Sequence, residues 1–284
     1  MPVEIRKLSK NNFPALLSEI NDPPSTLYLR GVLPPPETKL LAVVGSRRMS
    51  RYGQDACEHL IAGLAGYPIS IVSGLALGID GVAHKAALAA GLHTIAVPGS
   101  GLSEEVLYPR AHLTLSRDIL DAGGALLSEM EPDEHAAPYT FPKRNRIMAG
   151  MSHAVLIIEA GLKSGTLITA RLATEYNREL LIVPHSIFSE GGAGGHLFMG
   201  LGAKPVRNAD DILDVFDMKK EETKKSVELT PEEERVFEIL SAPIPRDELI
   251  RALGVSTGSA NVLLTQMEIR GIITESMGEI RKNI

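Results

Sequence analysis

The stretch Leu40-Leu41-Ala42-Val43-Val44-Gly45-Ser46-Arg47-Arg48 decides the fold. Five aliphatic residues in a row, closed by a glycine and a hydroxyl, read as a short strand buried on both faces that ends in a turn. Five more runs share this form. They are Ile69-Ser70-Ile71-Val72 before Ser73-Gly74, His93-Thr94-Ile95-Ala96-Val97 before Pro98-Gly99, Ala125-Leu126-Leu127 before Ser128-Glu129, Ala154-Val155-Leu156-Ile157-Ile158 before Glu159, and Glu179-Leu180-Leu181-Ile182-Val183 before Pro184. Between them, residues 52–64, 79–90 and 167–176 carry helical patterns. Strand and helix alternate at roughly 25–30 residues, the rhythm of a doubly wound, mostly parallel α/β sheet. In such sheets ligands sit beyond the carboxyl ends of the strands, and there the unusual residues of this chain cluster.

The flanks read differently. Residues 1–38 form an N-terminal extension whose Pro23-Pro24 and Pro34-Pro35-Pro36 forbid one continuous helix. Residues 13–20 suit a short helix, and residues 27–29 an edge strand. The sheet domain spans 39–216. Residues 217–228 are charged without apolar periodicity and read as a linker. In 229–284, Thr230-Pro231-Glu232-Glu233 is an N-cap with proline and acids in the first turn. Two further helical stretches end at Gly254 and Gly271, and a strand over 272–276 leads into the turn Met277-Gly278. That order is the order of a winged helix-turn-helix.

Composition bounds the function. One cysteine among 284 residues, Cys57, rules out an intramolecular disulfide and a thiolate zinc site and suits a reducing cytoplasm. Cys57 lies in an amphipathic pattern and reads as core. The net charge of −6 argues against a globally basic nucleic-acid binder, although local patches can outvote the total. Aromatics at 4% argue against a broad stacking platform for bases and leave room for single stacking residues. Residues 1–12 are polar, so no signal peptide is expected, and no apolar run is long enough to span a membrane.

Several strand ends suit an anion. Gly45-Ser46-Arg47 lets backbone approach a phosphate and offers a guanidinium fork. Ser73-Gly74-Leu75-Ala76-Leu77-Gly78-Ile79-Asp80 is glycine-rich, but it is not a dinucleotide fingerprint and its strand ends without an acid for a ribose. Asp80 and His84 share a helix face and suit either a capping and packing pair or an incomplete metal site. Phe141-Pro142-Lys143-Arg144-Asn145-Arg146 sets three cations behind an aromatic. Cations at a helix start oppose its dipole, which favours phosphate binding with one base stacked on Phe141. Lys163-Ser164-Gly165-Thr166 resembles a phosphate loop but has Thr166 where the lysine would stand, so amides at a helix start, not ATP hydrolysis, are expected. No histidine or carboxylate completes a nucleophilic triad. Glu129 and Glu131 stand near a strand end without a substrate geometry.

Taken in order, these stretches, with Ala89-Ala90-Gly91, Thr94-Ile95-Ala96-Val97, Tyr108-Pro109, Gly124 to Glu129, Phe141 to Ile147 and Ser164 to Arg171, resemble the DNA-processing protein DprA (Smf) family over about residues 13–216. The resemblance implies an extended Rossmann-like domain that binds single-stranded DNA, forms homodimers, protects incoming strands in natural transformation and helps load the RecA recombinase. It implies no catalysis, cofactor or metal. Its phosphate pocket would use Arg47, the Ser73-Gly74 turn, Phe141, Lys143, Arg144, Asn145 and the Lys163 to Thr166 loop. Many members carry an N-terminal SAM-like or helix-hairpin-helix-like domain, and this chain begins about where that domain would end. The family's loop after the sixth strand has a glycine where His185 stands and several arginines near Gly191, Ala193 and Leu197. Their loss implies weaker DNA binding and a shallower salt dependence.

Two other classes compete. Nucleotide phosphoribohydrolases of the lysine-decarboxylase-like (LOG) type resemble the Gly165-Thr166 step, but Ile168 and Thr169 stand where their catalytic acid belongs. A nucleotide or small-anion sensor signalling through the winged helix is the third reading. Residues 218–284 hold ten lysines and arginines against twelve acids, so tight duplex binding by that segment is not expected.

Overall fold

The computed structural model describes residues 4–218, 229–240, 243–276 and 278–282. The chain divides into two compact units, Met1–Lys219 and Lys220–Ile284. The segment read as a linker lies outside the described residues from 219 to 228.

In the first unit the elements run β1 (Ile5–Leu8), α1 (Ala15–Ser18), β2 (Leu27–Gly31), β3 (Lys39–Val44), α2 (Arg51–Ala62), β4 (Ile69–Ser73), α3 (Ile79–Ala89), β5 (His93–Ala96), α4 (Leu113–Asp121), β6 (Ala125–Ser128), α5 (Thr140–Met151), β7 (Ala154–Ile157), α6 (Thr166–Glu175), β8 (Glu179–Ile182), α7 (Ala193–Gly200), β9 (Lys204–Pro205) and α8 (Ala209–Val215). One sheet takes all nine strands in the order β1-β2-β6-β5-β4-β3-β7-β8-β9. The seven strands from β6 to β9 are parallel, and β2 and β1 add antiparallel at one edge.

Alternation across each strand explains the unbroken aliphatic runs. In β3, Leu40, Ala42 and Val44 join one core while Leu41 and Val43 join the other. In β7, Val155 and Ile157 face the first and Ala154 and Leu156 the second. Residues of α1, α5 and α6 complete the first core, and residues of α2, α3 and α8 the second. Both faces are therefore dry, and no position in these strands can be polar without a partner.

The N-terminal residues depart from the reading of a separate extension with an edge strand. β2 is the second strand in, because β1 pairs along its outer side with Ile5 opposite Arg30. The short polar run Ile5-Arg6-Lys7-Leu8 gave no buried-strand signal, since only its ends are half-buried. Exposed cations on so short an edge discourage further strand addition.

The second unit contains α9 (Pro231–Ile239), β10 (Ile244–Pro245), α10 (Arg246–Leu253), α11 (Thr257–Ile269), β11 (Ile273–Ser276) and β12 (Glu279–Lys282). Its three strands form a small antiparallel sheet in the order β10-β12-β11. Thr230 and Glu233 close a full capping box at the start of α9. Gly254 ends α10 in the left-handed region at φ 67°, which a glycine adopts without strain. Met277, read from the sequence with Gly278 as a tight turn, lies outside the described residues.

Candidate functional site

From β3 the chain winds outward through β4, β5 and β6, then crosses back to β7 and winds the other way. The connections leaving β3 and β7 therefore diverge, and a crevice opens at their carboxyl ends. A cavity of about 620 Å³ occupies it. Gly45, Ser46, Arg47 and Arg48 after β3 form one wall, Gly161 and Lys163 to Thr166 after β7 another, and Phe141, Arg144 and Asn145 of α5 a third.

Arg144 is the buried cation of this cleft, with 6% of its surface exposed. Its Nη1 lies 3.4 Å from Oδ2 of Asp80. The same oxygen accepts from the amides of Gly74 at 3.1 Å and Ala76 at 3.4 Å. Burial pushes the Asp80 carboxyl up and the Arg144 guanidinium down from their ordinary values, and the attraction between them opposes both shifts. The guanidinium starts high enough to remain a cation. Its Nε has no partner. Gly74 makes the arrangement possible, because a Cβ there would stand 1.0 Å from Nη1 of Arg144.

Arg47 is exposed and lies over the Phe141 ring, 4.9 Å from its centroid. Phe141 in turn packs on Gly99, where a Cβ would meet the ring at 2.7 Å, and meets Tyr108 edge-on at 5.9 Å. The ring expected to stack a base thus holds Arg47 in place over the cleft.

The loop before α6 is more self-contained than a phosphate loop. The Ser164 amide bonds Gly161, the Thr166 amide bonds Oγ of Ser164, and the Leu167 and Ile168 amides bond Ser164 and Gly165. Thr166 is buried and donates its hydroxyl to the Gly45 carbonyl at 3.1 Å, tying two walls together. Lys163 remains exposed at the rim. An anion here would meet Lys163 and the helix end rather than a nest of free amides.

Ten of the fourteen residues singled out in the sequence line the cleft: Gly45, Ser46, Arg47, Phe141, Arg144, Asn145, Lys163, Ser164, Gly165 and Thr166. Ser73, Gly74, Lys143 and Arg146 do not. Ser73 is fully buried and donates to the Val43 carbonyl at 2.6 Å, and the Gly74 amide is used by Asp80. Ser73 ties β4 to β3, and Gly74 makes room for Arg144. Arg146 forks onto Glu129 with two bonds of 2.6 Å and also donates to the Asp22 carbonyl, which ties α5 to the N-terminal segment. Lys143 is exposed beside the cleft, 5.5 Å from the Tyr139 ring centroid. Arg48 and Thr169 line the cavity without having been selected. Arg48 adjoins Arg47 in the opening turn, and Thr169 stands one helical step beyond Thr166.

The remaining pairs are structural. Asp80 faces Arg144 while His84 bonds Oγ1 of Thr94 at 2.8 Å, so the two share no ligand site. Glu131 accepts from the Tyr28 hydroxyl at 2.5 Å, and Glu129 is held by Arg146. Cys57 is fully buried, and burial pushes its thiol up to about 12. In the loop after β8, Nε2 of His185 bonds the Ile158 carbonyl at 2.8 Å, and the Gly191 carbonyl accepts from the Ala160 amide at 2.8 Å.

Residues 4–217 match the family model described as DNA recombination-mediator protein A, and residues 220–279 match the DprA winged helix domain. Protein Smf of Escherichia coli K12 is 43% identical over 202 residues, covering 71% of this chain and 54% of its own length. DNA processing protein DprA of Streptococcus pneumoniae is 42% identical over 205 residues, covering 72% of this chain and 71% of its own. The X-ray structure of the S. pneumoniae protein matches with a TM-score of 0.69 at 40% identity over 74% of each chain. DNA processing protein A of Helicobacter pylori, whose structure addresses its single-stranded DNA binding mode, matches with a TM-score of 0.67 at 29% identity, covering 76% of this chain and 98% of that one. The chain spans about half of the E. coli protein and about seven tenths of the S. pneumoniae one. With a Rossmann-like α/β unit built on a mostly parallel sheet, followed by a winged helix domain, the chain belongs to the DNA recombination-mediator protein A (DprA/Smf) family.

Proposed function

We propose that this protein is a non-catalytic single-stranded-DNA-binding recombination mediator. The observation that carries the reading is the switch-point cleft, where the buried Arg144 and the ring-mounted Arg47 converge with Lys163 at the rim. Three cations held by different elements suit two or three successive phosphates of one flexible strand. The acids nearest the cleft are occupied. Asp80 serves Arg144 and two amides, and Glu159 accepts from the Ser50 amide and hydroxyl at 3.0 and 2.7 Å. Ile168 and Thr169 line the wall where a phosphoribohydrolase would need its acid.

With the family membership in support, the role we propose is protection of incoming strands in transformation and delivery of RecA onto them, by a homodimer in the cytoplasm. Among the described residues no helix is long and apolar enough to cross a membrane. The test is fluorescence anisotropy with labelled oligo-dT, duplex DNA and AMP at several salt concentrations. Oligo-dT should bind best, and Arg47→Ala should weaken it about tenfold or more. Preference for AMP would favour the nucleotide-sensor reading, and indifference to Arg47→Ala would remove the cleft from the mechanism.

A further inference from the structure

Tyr52 stands in the first turn of α2, four residues after Arg48 of the cleft wall, a span of at most about 14 Å. It is 51% exposed, yet it is held at two points. Its hydroxyl donates to the Pro184 carbonyl at 2.7 Å, and its ring meets the His185 ring edge-on, with centroids 4.8 Å apart and planes at 72°. His185 is fixed in turn. Its Nε2 donates to the Ile158 carbonyl at 2.8 Å, and it packs on Gly192, where a Cβ would stand 2.3 Å from its own. The tyrosine thus ties the start of α2 to the segments that follow β7 and β8. On its open side it borders a cavity of about 440 Å³. The buried Leu60, Val183 and Val206 give that cavity an apolar floor, and the exposed His59 and Arg207 stand at its rim. Charge around the ring is balanced, because Arg51 pairs with Asp55 and Arg207 with Asp211, each at 2.9 Å.

We infer that Tyr52 is a stacking platform for an unpaired nucleobase of the strand whose phosphates lie in the cleft, placed where that strand passes over the wall formed by Arg47 and Arg48. The inference rests on the single-strand reading above and adds a contact to a base outside the cleft. A strand longer than the cleft must cross one of its walls, and Tyr52 is the exposed ring beside this one. A ring with its hydroxyl bonded and His185 against it is already ordered, so stacking costs it little freedom. Its exposed surface and the apolar floor beside it suit the flat face of a base, and every base has such a face, so the contact is sequence-tolerant. The neighbouring guanidiniums Arg51 and Arg207 already have carboxylates, so the platform adds affinity without adding a neutralised phosphate.

The test compares oligo-dT with an abasic strand of the same length, using the full chain at several salt concentrations. Tyr52→Leu should weaken oligo-dT binding about tenfold, leave abasic binding unchanged and keep the slope of log K against log salt. Arg47→Ala should instead weaken both strands and flatten the slope, because it removes a phosphate contact. Tyr52→Phe keeps the ring and should lose less than Tyr52→Leu. The chain contains no tryptophan, so Tyr52→Trp supplies a single reporter. Its emission should fall on adding oligo-dT and not on adding the abasic strand. Equal losses on both strands for Tyr52→Leu would make Tyr52 a support for the turn after β3 and overturn the assignment. No loss on either strand, a changed slope, a loss for Tyr52→Phe as large as for Tyr52→Leu, or an unquenched tryptophan would overturn it too, while leaving the cleft intact. Wild-type protein that binds neither strand would overturn both readings.

Discussion

Asp80 and His84 stand one turn apart on α3, and burial treats them oppositely. Asp80 keeps a cation and two amides around its carboxylate, whereas His84 has Thr94 on Nδ1 and nothing on Nε2. Burial, helped by repulsion from His112 and Arg144, pushes the His84 imidazole down to about 3. An unfolded histidine titrates near 6.5. Between those values the unfolded chain takes up a proton that the folded chain refuses. The stability that neutral His84 contributes is complete above pH 6.5 and is lost as the pH falls towards 3. By pH 5 the loss is about 2 kcal/mol. Urea unfolding at pH 7 and pH 5 should show wild type losing about that much more than His84→Gln. Equal losses would mean that the folded state accepts the proton. His93 and His153 are also pushed down by burial and contribute equally to both proteins. At this scale the sequence displayed the right kinds of residue but not their partners. Lys143, Arg144 and Arg146 look alike in a row, and helical rotation sends one to solvent, one to Asp80 and one to Glu129. Only the fold brings Asp80 and Glu129 to those places.

Elements were legible where local chemistry alone determines them. The six aliphatic runs became β3 to β8, because a strand dry on both faces must be apolar throughout. β1 and β9 are short and polar or exposed, and nothing local marks them. The start of α6 looked like an anion cradle from its Ser-Gly-Thr composition, yet those residues use much of their hydrogen-bonding capacity on one another. The start of α9 could be read outright. Thr230 accepts from the Glu233 amide at 3.3 Å, and Glu233 accepts from the Thr230 amide at 2.9 Å. Glu233 is also buried and ion-paired with Arg270, so one side chain joins α9 to the end of α11. Thr230→Ala removes only the cap and should destabilise this unit by about 1 kcal/mol. Glu233→Ala removes the bond from the Thr230 amide and the ion pair with Arg270, and should cost about 2–3 kcal/mol. Hydrogen exchange on the full chain would show it as faster exchange in α9 and α11 with α2 to α6 unchanged. Equal protection in both variants would deny Glu233 its second role.

At the level of the whole molecule, charge is segregated rather than abundant. The chain carries a net charge of −6, yet Arg47, Arg144 and Lys163 meet in one crevice. That crevice exists because the strand order reverses between β3 and β7; the alternation of runs marks a doubly wound sheet, and only the strand order places the reversal. The winged helix domain shows no comparable concentration. Residues 229–284 contain six lysines and arginines against nine acids. Arg246 is held by Glu268 at 2.8 Å and Glu275 at 2.7 Å, and Arg270 is paired with Glu233. The exposed residues of α11 include Val262 and Ile269, at 59% and 81%, which offer nothing to a phosphate. Salt dependence separates the two units, because each phosphate neutralised on a single strand contributes about −0.7 to the slope of log K against log salt. Three cleft cations therefore give a slope of about −2, and Arg47→Ala should reduce it by about 0.7. Ending the chain after Met218 should leave the slope unchanged, since the first unit keeps both of its cores and the whole cleft. A slope that becomes shallower on truncation would assign phosphate contacts to the winged helix domain. An unchanged slope would confine strand binding to the crevice and leave α11 for a partner that is not nucleic acid.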